Sequence, residues 1–259
     1  MKRIALLVAL LPLGALAASP FDGDWKTDIK TGHIIKNVEF GFEIKGGMYR
    51  CTKNCDDRID EVAADGKDHP VKNHSISDRL SVEVVNDTKA VLTLKKGTIL
   101  VSKCTLVASA DAAHLTQSCT DHTGAKPVES SGTSTRVGKP DPAAHKVSGS
   151  WLADEGSWNG TELTTSIAST PNGLKFTWNG IIVDAKFDGR EYLAQNDPAH
   201  SLNILKKVSD REVEWTTKVL GKNQGVDRLV VAADGKSILD TYTSLTDGSS
   251  SSVVMRKQP

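Results

Sequence analysis

Six side chains able to hold a soft or borderline metal ion crowd into residues 51–74: Cys51, Cys55, Asp56, Asp57, His69 and His74. Thiolate and imidazole donors would suit zinc or copper. Their spacing matches no defined site, and no Cys-x-x-Cys-His haem motif is present. The competing chemistry is a disulfide between Cys51 and Cys55, which oxidising compartments favour. Both chemistries stay open on the residues alone; the expectation is the disulfide, with no metal ion and no cofactor. For catalysis there is no Gly-x-Ser-x-Gly, no His-Glu-x-x-His and no glycine-rich phosphate loop. The seven histidines (His33, His69, His74, His114, His122, His145, His200) are scattered. Asp121-His122 is an adjacent acid–imidazole pair, but neighbours on a strand point to opposite faces. No catalytic residue is assigned, and the chain is expected not to be an enzyme.

The other two cysteines pair by position. Strands around Cys104 and Cys119 flank the turn Ala110-Asp111-Ala112-Ala113. A hairpin centred between Asp111 and Ala112 sets Cys104 opposite Cys119, within disulfide reach. Two further hairpins can be read. Gly46-Gly47 joins Phe40–Lys45 to Met48–Cys51, and Asn179-Gly180 joins Leu174–Trp178 to Ile181–Ala185. Both dipeptides accept the positive φ of a type I′ turn. In the first, Glu43 then faces Arg50, with Phe40, Phe42, Ile44, Tyr49 and Cys51 on the other face. In the second, Lys175 faces Asp184, with Leu174, Phe176, Trp178, Ile181, Val183 and Ala185 on the other. From each turn to the next Asp-Gly pair is 19 positions in one case (Gly46 to Asp65) and nine in the other (Asn179 to Asp188), so Cys51 and Cys55 are expected to ride on a ten-residue insertion.

Short strands recur downstream: Leu80–Val85, Ala90–Lys95, Ile99–Ala108, Leu115–Thr120 and Ser131–Val137, then Leu202–Val208, Glu212–Lys218, Val226–Val231, Ile238–Leu245 and Ser251–Arg256. Asn86-Asp87, Lys96-Gly97, Asp234-Gly235 and Asp247-Gly248 separate them. A single helical turn is expected near Thr161–Ile167. The two series are copies of one unit, because Gly-x-Trp opens each: Gly23-Asp24-Trp25 and Gly149-Ser150-Trp151, 126 positions apart. Arg136 ends the first copy and Arg256 the second. Many short antiparallel strands argue for barrels, which remove exposed edges by closure.

These features resemble the calycin group of β-barrels, the lipocalins and their relatives. There, a first-strand tryptophan closes one barrel end and a last-strand Arg or Lys packs across its indole, a cation–π contact worth about 0.5–2 kcal/mol. The resemblance implies barrel-closing pairs Trp25 with Arg136 and Trp151 with Arg256. A Thr-Asp pair at the same offset (Thr120-Asp121, Thr246-Asp247) is similar to a further lipocalin motif without its aromatic third residue. The chain is also similar to uncharacterised exported bacterial proteins with paired repeats, a likeness that implies no activity.

The expected fold is therefore all-β: two tandem antiparallel lipocalin-like barrels after a cleaved signal peptide. Residues 1–17 carry the signal, with Lys2 and Arg3 before the apolar Ile4–Leu16 and Ala15-Leu16-Ala17 at the cleavage site. The first barrel is expected over 18–138, a linker over 139–145, and the second barrel over 146–259. The mature chain carries 30 basic and 32 acidic side chains, which offers nothing to nucleic acid or an anionic membrane. No stretch is long enough to span a bilayer as a helix. The expected location is periplasmic or secreted. Core filling explains most of the aromatics, but the second repeat is rich in them. Phe176, Trp178, Ile181, Val183 and Trp215 are the candidate ligand-binding wall for a small, partly apolar molecule. The alternative is a cell-envelope structural or protein-interaction module with filled barrels.

Overall fold

A computed structural model describes residues 19–54, 61–72, 74 and 76–259. The expected signal peptide, Cys55, Asp56 and Asp57 lie outside the described residues. The chain is all-β, without a helix among the described residues, and forms two nearly closed antiparallel barrels of ten strands each. In chain order the strands are β1 (Gly23–Lys36), β2 (Phe40–Lys45), β3 (Met48–Lys53), β4 (Val62–Ala63), β5 (His69–Pro70), β6 (Arg79–Asn86), β7 (Lys89–Lys96), β8 (Ile99–Ala108), β9 (His114–Asp121), β10 (Val128–Val137), β11 (Gly149–Ala153) and β12 (Asn159–Gly160). They continue as β13 (Thr164–Thr170), β14 (Gly173–Trp178), β15 (Ile181–Lys186), β16 (Tyr192–Leu193), β17 (Leu202–Ser209), β18 (Glu212–Val219), β19 (Lys222–Val231), β20 (Ser237–Ser244) and β21 (Ser250–Lys257). The expected helical turn at Thr161–Ile167 is absent, and Thr164–Ile167 instead open β13. Thr164, Thr165 and Ile167 are β-branched and fit a pleated strand better than a helix.

The barrels do not coincide with the expected segments 18–138 and 146–259. Barrel I runs β4-β3-β2-β11-β10-β9-β8-β7-β6-β5, and barrel II runs β15-β14-β13-β1-β21-β20-β19-β18-β17-β16. Each repeat's first strand closes the other repeat's barrel. Gly23 to Lys26 of β1 pair with Ile167 to Thr164 of β13, while the other edge of β1 pairs with β21. Likewise β11 sits between β10 and β2, with Arg136↔Trp151 and Trp151↔Phe40. Barrel I is thus continuous in sequence, inserted between the first strand of barrel II and its remaining nine. Both first strands carry Gly-x-Trp, so either matches either slot; the 11-residue connection 138–148 lets β10 turn directly back onto β11. Single bridges complete the circuits, Asp65↔Glu83 in barrel I and Ile182↔Gln195 in barrel II.

The hairpin registers agree with the alternation of charge and apolar side chains. Glu43↔Arg50 and Ile44↔Tyr49 pair in one hairpin, Lys175↔Asp184 and Phe176↔Val183 in the other. Gly46, Gly47, Asn179 and Gly180 all have positive φ. Yet the two hairpins are not equivalent in the repeats. Gly46-Gly47 joins β2 to β3, whose counterparts β13 and β14 meet at Pro171-Asn172; Asn179-Gly180 comes one hairpin later. Counted from the equivalent turn, Asp188 lies 17 positions after Pro171 against 19 from Gly46 to Asp65. The expected ten-residue insertion is therefore two residues, and Cys51 lies within β3, where barrel II has Phe176.

Two separate cores follow from this exchange. Trp25 and Phe21 belong to the core of barrel II with Phe176, Leu205 and Ile238. Trp151 and Val147 belong to that of barrel I with Leu80, Val82 and Leu115. Each indole is fully buried, and its N–H donates to the carbonyl four residues earlier, Phe21 O at 2.7 Å and Val147 O at 3.1 Å.

Candidate functional site

The barrel ends explain why glycine stands two residues before each tryptophan. Gly149 has φ +144°, and a Cβ there would lie 2.1 Å from Arg136 Nη1. That guanidinium lies 4.2 Å from the centre of the Trp151 ring and donates to the carbonyls of Ser148 and Lys146, each at 2.6 Å. Gly23 has φ +133° and leaves room for Lys257, whose ammonium lies 5.1 Å from the Trp25 ring centre. The expected pairs are thus corrected: Trp151 takes Arg136, and Trp25 takes Lys257. Strand exchange separates Trp25 from Arg136. A one-residue phase difference removes Arg256, because Trp25 faces Lys257 across the ladder and adjacent residues point oppositely. Arg256 instead bonds Asp28 at 2.8 Å. These groups plug barrel ends.

Cys104 and Cys119 face each other in register and are disulfide-bonded with Cα atoms 4.1 Å apart, as the hairpin geometry predicts. Cys51 is also disulfide-bonded; its expected partner Cys55 lies outside the described residues. His69 Nε2 lies 2.7 Å from Asp65 Oδ1. Asp121 caps the following loop by accepting from Thr123 N at 2.6 Å.

The five expected wall residues do come together in barrel II. Phe176 and Val183 are fully buried, with Trp178, Ile181 and Trp215 packed against them. The Phe176 and Trp215 rings are 4.4 Å apart and the Trp178 and Trp215 rings 5.6 Å, a usual spacing for tilted and edge-on aromatic contacts. Trp215 Nε1 donates to Asn203 Oδ1 at 2.7 Å, which holds the indole in place. These residues fill one side of the barrel by stacking on each other. None of them lines the open pocket, which is set on β1, β20 and β21.

That pocket, about 230 Å³, is lined by Thr27, Ile29, Gly32, His33 and Ile34 of β1, by Asp240 and Tyr242 of β20, by Ser251–Val253 of β21, and by Trp158. It exists because β1 bulges. Asp28 pairs with Val254 but the next ladder pair is His33 with Ser252, so Ile29–Gly32 swing free of β21. The bulge is braced by Thr31, whose Oγ1 accepts from Val254 N at 2.8 Å and donates to Asp28 O at 2.7 Å.

Strand alternation turns two carboxylates into barrel II. On β19, Asp227 shares a face with the buried Leu229 and Val231. On β20, Asp240 shares a face with the buried Ile238. Asp240 Oδ1 is buried with no hydrogen-bond partner among the described residues. Burial pushes the Asp227 carboxyl up to about 7, with repulsion from Asp240 adding to it, and burial pushes Asp240 up to about 6. The motif reading missed both, although the alternation Asp227-Leu229-Val231 and Ile238-Asp240-Tyr242 around the Asp234-Gly235 turn carries the signal. The same two positions in barrel I, counted back from Ala108↔Leu115 and Val231↔Ile238, hold Cys104 and Gln117. Barrel I therefore has one end of its cross-strand disulfide where barrel II has Asp227, and an uncharged amide where barrel II has Asp240.

A larger depression of about 1000 Å³ lies at the plugged end of barrel II, among the turns around Phe21, Asn172, Phe187 and Arg211. Its lining joins turn residues to the buried Phe21, Leu174 and Val213, and its charges are mixed: Lys186, Lys207 and Arg211 against Asp188 and Asp210. The described residues hold no helix long and apolar enough to cross a membrane. No protein-family model, curated protein or solved structure matches the chain.

Proposed function

We propose that the protein is an exported, non-enzymatic binding protein that holds a small, partly apolar molecule in barrel II. The observation carrying this reading is the bulge-opened pocket beside Asp240, whose buried carboxylate oxygen lacks a partner. Pockets of this kind, apolar with a few convergent polar groups, are the usual form of a small-molecule site. The calycin likeness supports it too, since each barrel sets a cation from one repeat's last strand over an indole from the other repeat's first strand. Binding is centred on the pocket wall of β1, β20 and β21; Phe176, Ile181 and Val183 pack with Trp178 and Trp215 in the barrel core, and the two indoles report on occupancy through their fluorescence. Native mass spectrometry of protein recovered from the export compartment of its own cell tests the reading. A retained small molecule of constant mass is expected. A stoichiometric protein partner with no retained small molecule would favour the envelope-interaction alternative, which the disulfide-linked interior of barrel I supports for that half.

A further inference from the structure

We propose that the pocket takes a protonated amine carried on an apolar or aromatic body, with the ammonium group on Asp240. This rests on the ligand-binding reading above and narrows it to one chemical class. The pocket walls are apolar or aromatic at Ile29, Ile34, Val253, Tyr242 and Trp158, and its one carboxylate among the described residues is Asp240. Asp240 lines the pocket while its Oδ1 is buried without a hydrogen-bond partner among the described residues, so its carboxylate is poorly solvated, and a charged donor compensates that better than a neutral one. Asp227 stands on the neighbouring strand, close enough to raise the proton affinity of its own carboxyl through repulsion from Asp240. The inward partners of the two acids are Trp215 and Tyr242 for Asp227, Leu229 and Val253 for Asp240; none carries positive charge. A cation relieves both carboxylates at once. A neutral alcohol supplies one hydrogen bond and leaves the repulsion. A carboxylate ligand such as a fatty acid brings a second negative charge against Asp240, so that class is disfavoured.

Shape points the same way. A 230 Å³ pocket accommodates a molecule of about a dozen heavy atoms. Trp158 is 54% exposed at the rim, where its indole can cover the ligand body and offer a π face to the cation. The ring of Tyr242 is displaced toward Gly225, where a Cβ would stand 2.3 Å from it. Glycine there is what lets the tyrosine lie down along the wall.

The test is calorimetric titration of the intact protein with tryptamine, phenethylamine and octylamine, beside tryptophol and indole-3-propionate as neutral and anionic analogues of the first. At least one amine is expected to bind, with tryptophol about tenfold or more weaker and indole-3-propionate silent. Asp240→Asn should lower amine affinity by about ten- to a hundredfold and leave tryptophol unchanged. Trp158→Ala, at an exposed rim position that folding does not need, should lower amine affinity about tenfold. Equal binding of the three indoles, or an Asp240→Asn protein that binds amines like the parent, overturns the amine assignment while leaving a ligand pocket. Failure of all three amines also overturns it, and a molecule retained in native mass spectrometry would then show that the binding reading survives without it.

Discussion

Gly149 and Gly23 occupy equivalent places, but the atoms that would meet a new Cβ differ. At Gly149 the obstacle is the planar guanidinium of Arg136, fixed by carbonyl oxygens on several sides; at Gly23 it is the flexible end of Lys257, 2.8 Å away. Both positions also have φ values that L-residues rarely adopt. Gly149→Ala is therefore expected to lose about 2–4 kcal/mol and Gly23→Ala distinctly less, in denaturant unfolding followed by far-UV dichroism. Asp227 and Asp240 give a second prediction at this scale. Their folded values, about 7 and about 6, stand above the ordinary 3.8. Between about pH 4 and pH 7 the folded chain thus holds more protons than the unfolded chain, so the contribution of these groups to stability is complete below pH 4 and falls as pH rises through that window. Each unit is worth about 1.4 kcal/mol, so each of the two groups contributes a few kcal/mol at most. Several surface carboxylates, Asp65, Asp111 and Asp188 among them, are shifted the other way by hydrogen bonds and mask the slope. The measurement is therefore a difference: Asp227→Asn with Asp240→Asn should melt higher than the parent at pH 8 and show no such advantage at pH 4. An equal advantage at both values would exclude the linkage.

At the scale of strands, the hairpins were legible because their information is local. Turn chemistry at Gly46-Gly47 and Asn179-Gly180, charge pairs such as Glu43–Arg50, and period-two burial all agree, so register follows. Cys104 opposite Cys119 belongs to the same class of inference. Removing that bridge, as Cys104→Ala with Cys119→Ala, is expected to cost about 3 kcal/mol on the chain-entropy estimate for a loop near its 15-residue separation, read as a lower urea midpoint. A loss under about 1 kcal/mol would mean that the β8–β9 ladder alone holds the hairpin. The equivalence of hairpins between repeats was not legible. Pro171-Asn172 is a less conspicuous turn than Asn179-Gly180, and the eye aligns the wrong pair. Nor was the phase at the end of β21: Val254-Met255-Arg256-Lys257 offers a cation on each face, and only the β1 register selects Lys257. The inward acids could have been found by extending the alternation of Leu229 and Val231 one step to Asp227.

For the whole molecule, the exchange of first strands is the feature no local pattern reveals, since Gly23-Asp24-Trp25 and Gly149-Ser150-Trp151 carry the same chemistry. It has a sharp consequence for how the chain divides. Barrel I has all ten of its strands within 40–153, so a fragment spanning residues 38–160 should fold alone, unfold cooperatively and form the Cys104–Cys119 bridge. Residues 161–259 hold nine strands of barrel II and lack β1. Without it the edges of β13 and β21 stand unpaired, the Trp25 plug is missing, and Phe176, Leu205 and Ile238 lose a wall. That fragment is expected to remain uncooperative or to associate. A peptide of residues 19–36 added in trans should restore it, because it brings Phe21, Trp25 and both hydrogen-bonded edges. The restored complex should be one-to-one. Its peptide indole should pass from water to a fully buried site, with a blue-shifted emission, and Trp25→Ala in the peptide should abolish the rescue. A fragment 161–259 that folds cooperatively without the peptide would show that β1 is dispensable to barrel II. Recovery of folding by a 146–165 peptide would show something different: that the two Gly-x-Trp strands are interchangeable, and that chain connection rather than sequence places each one.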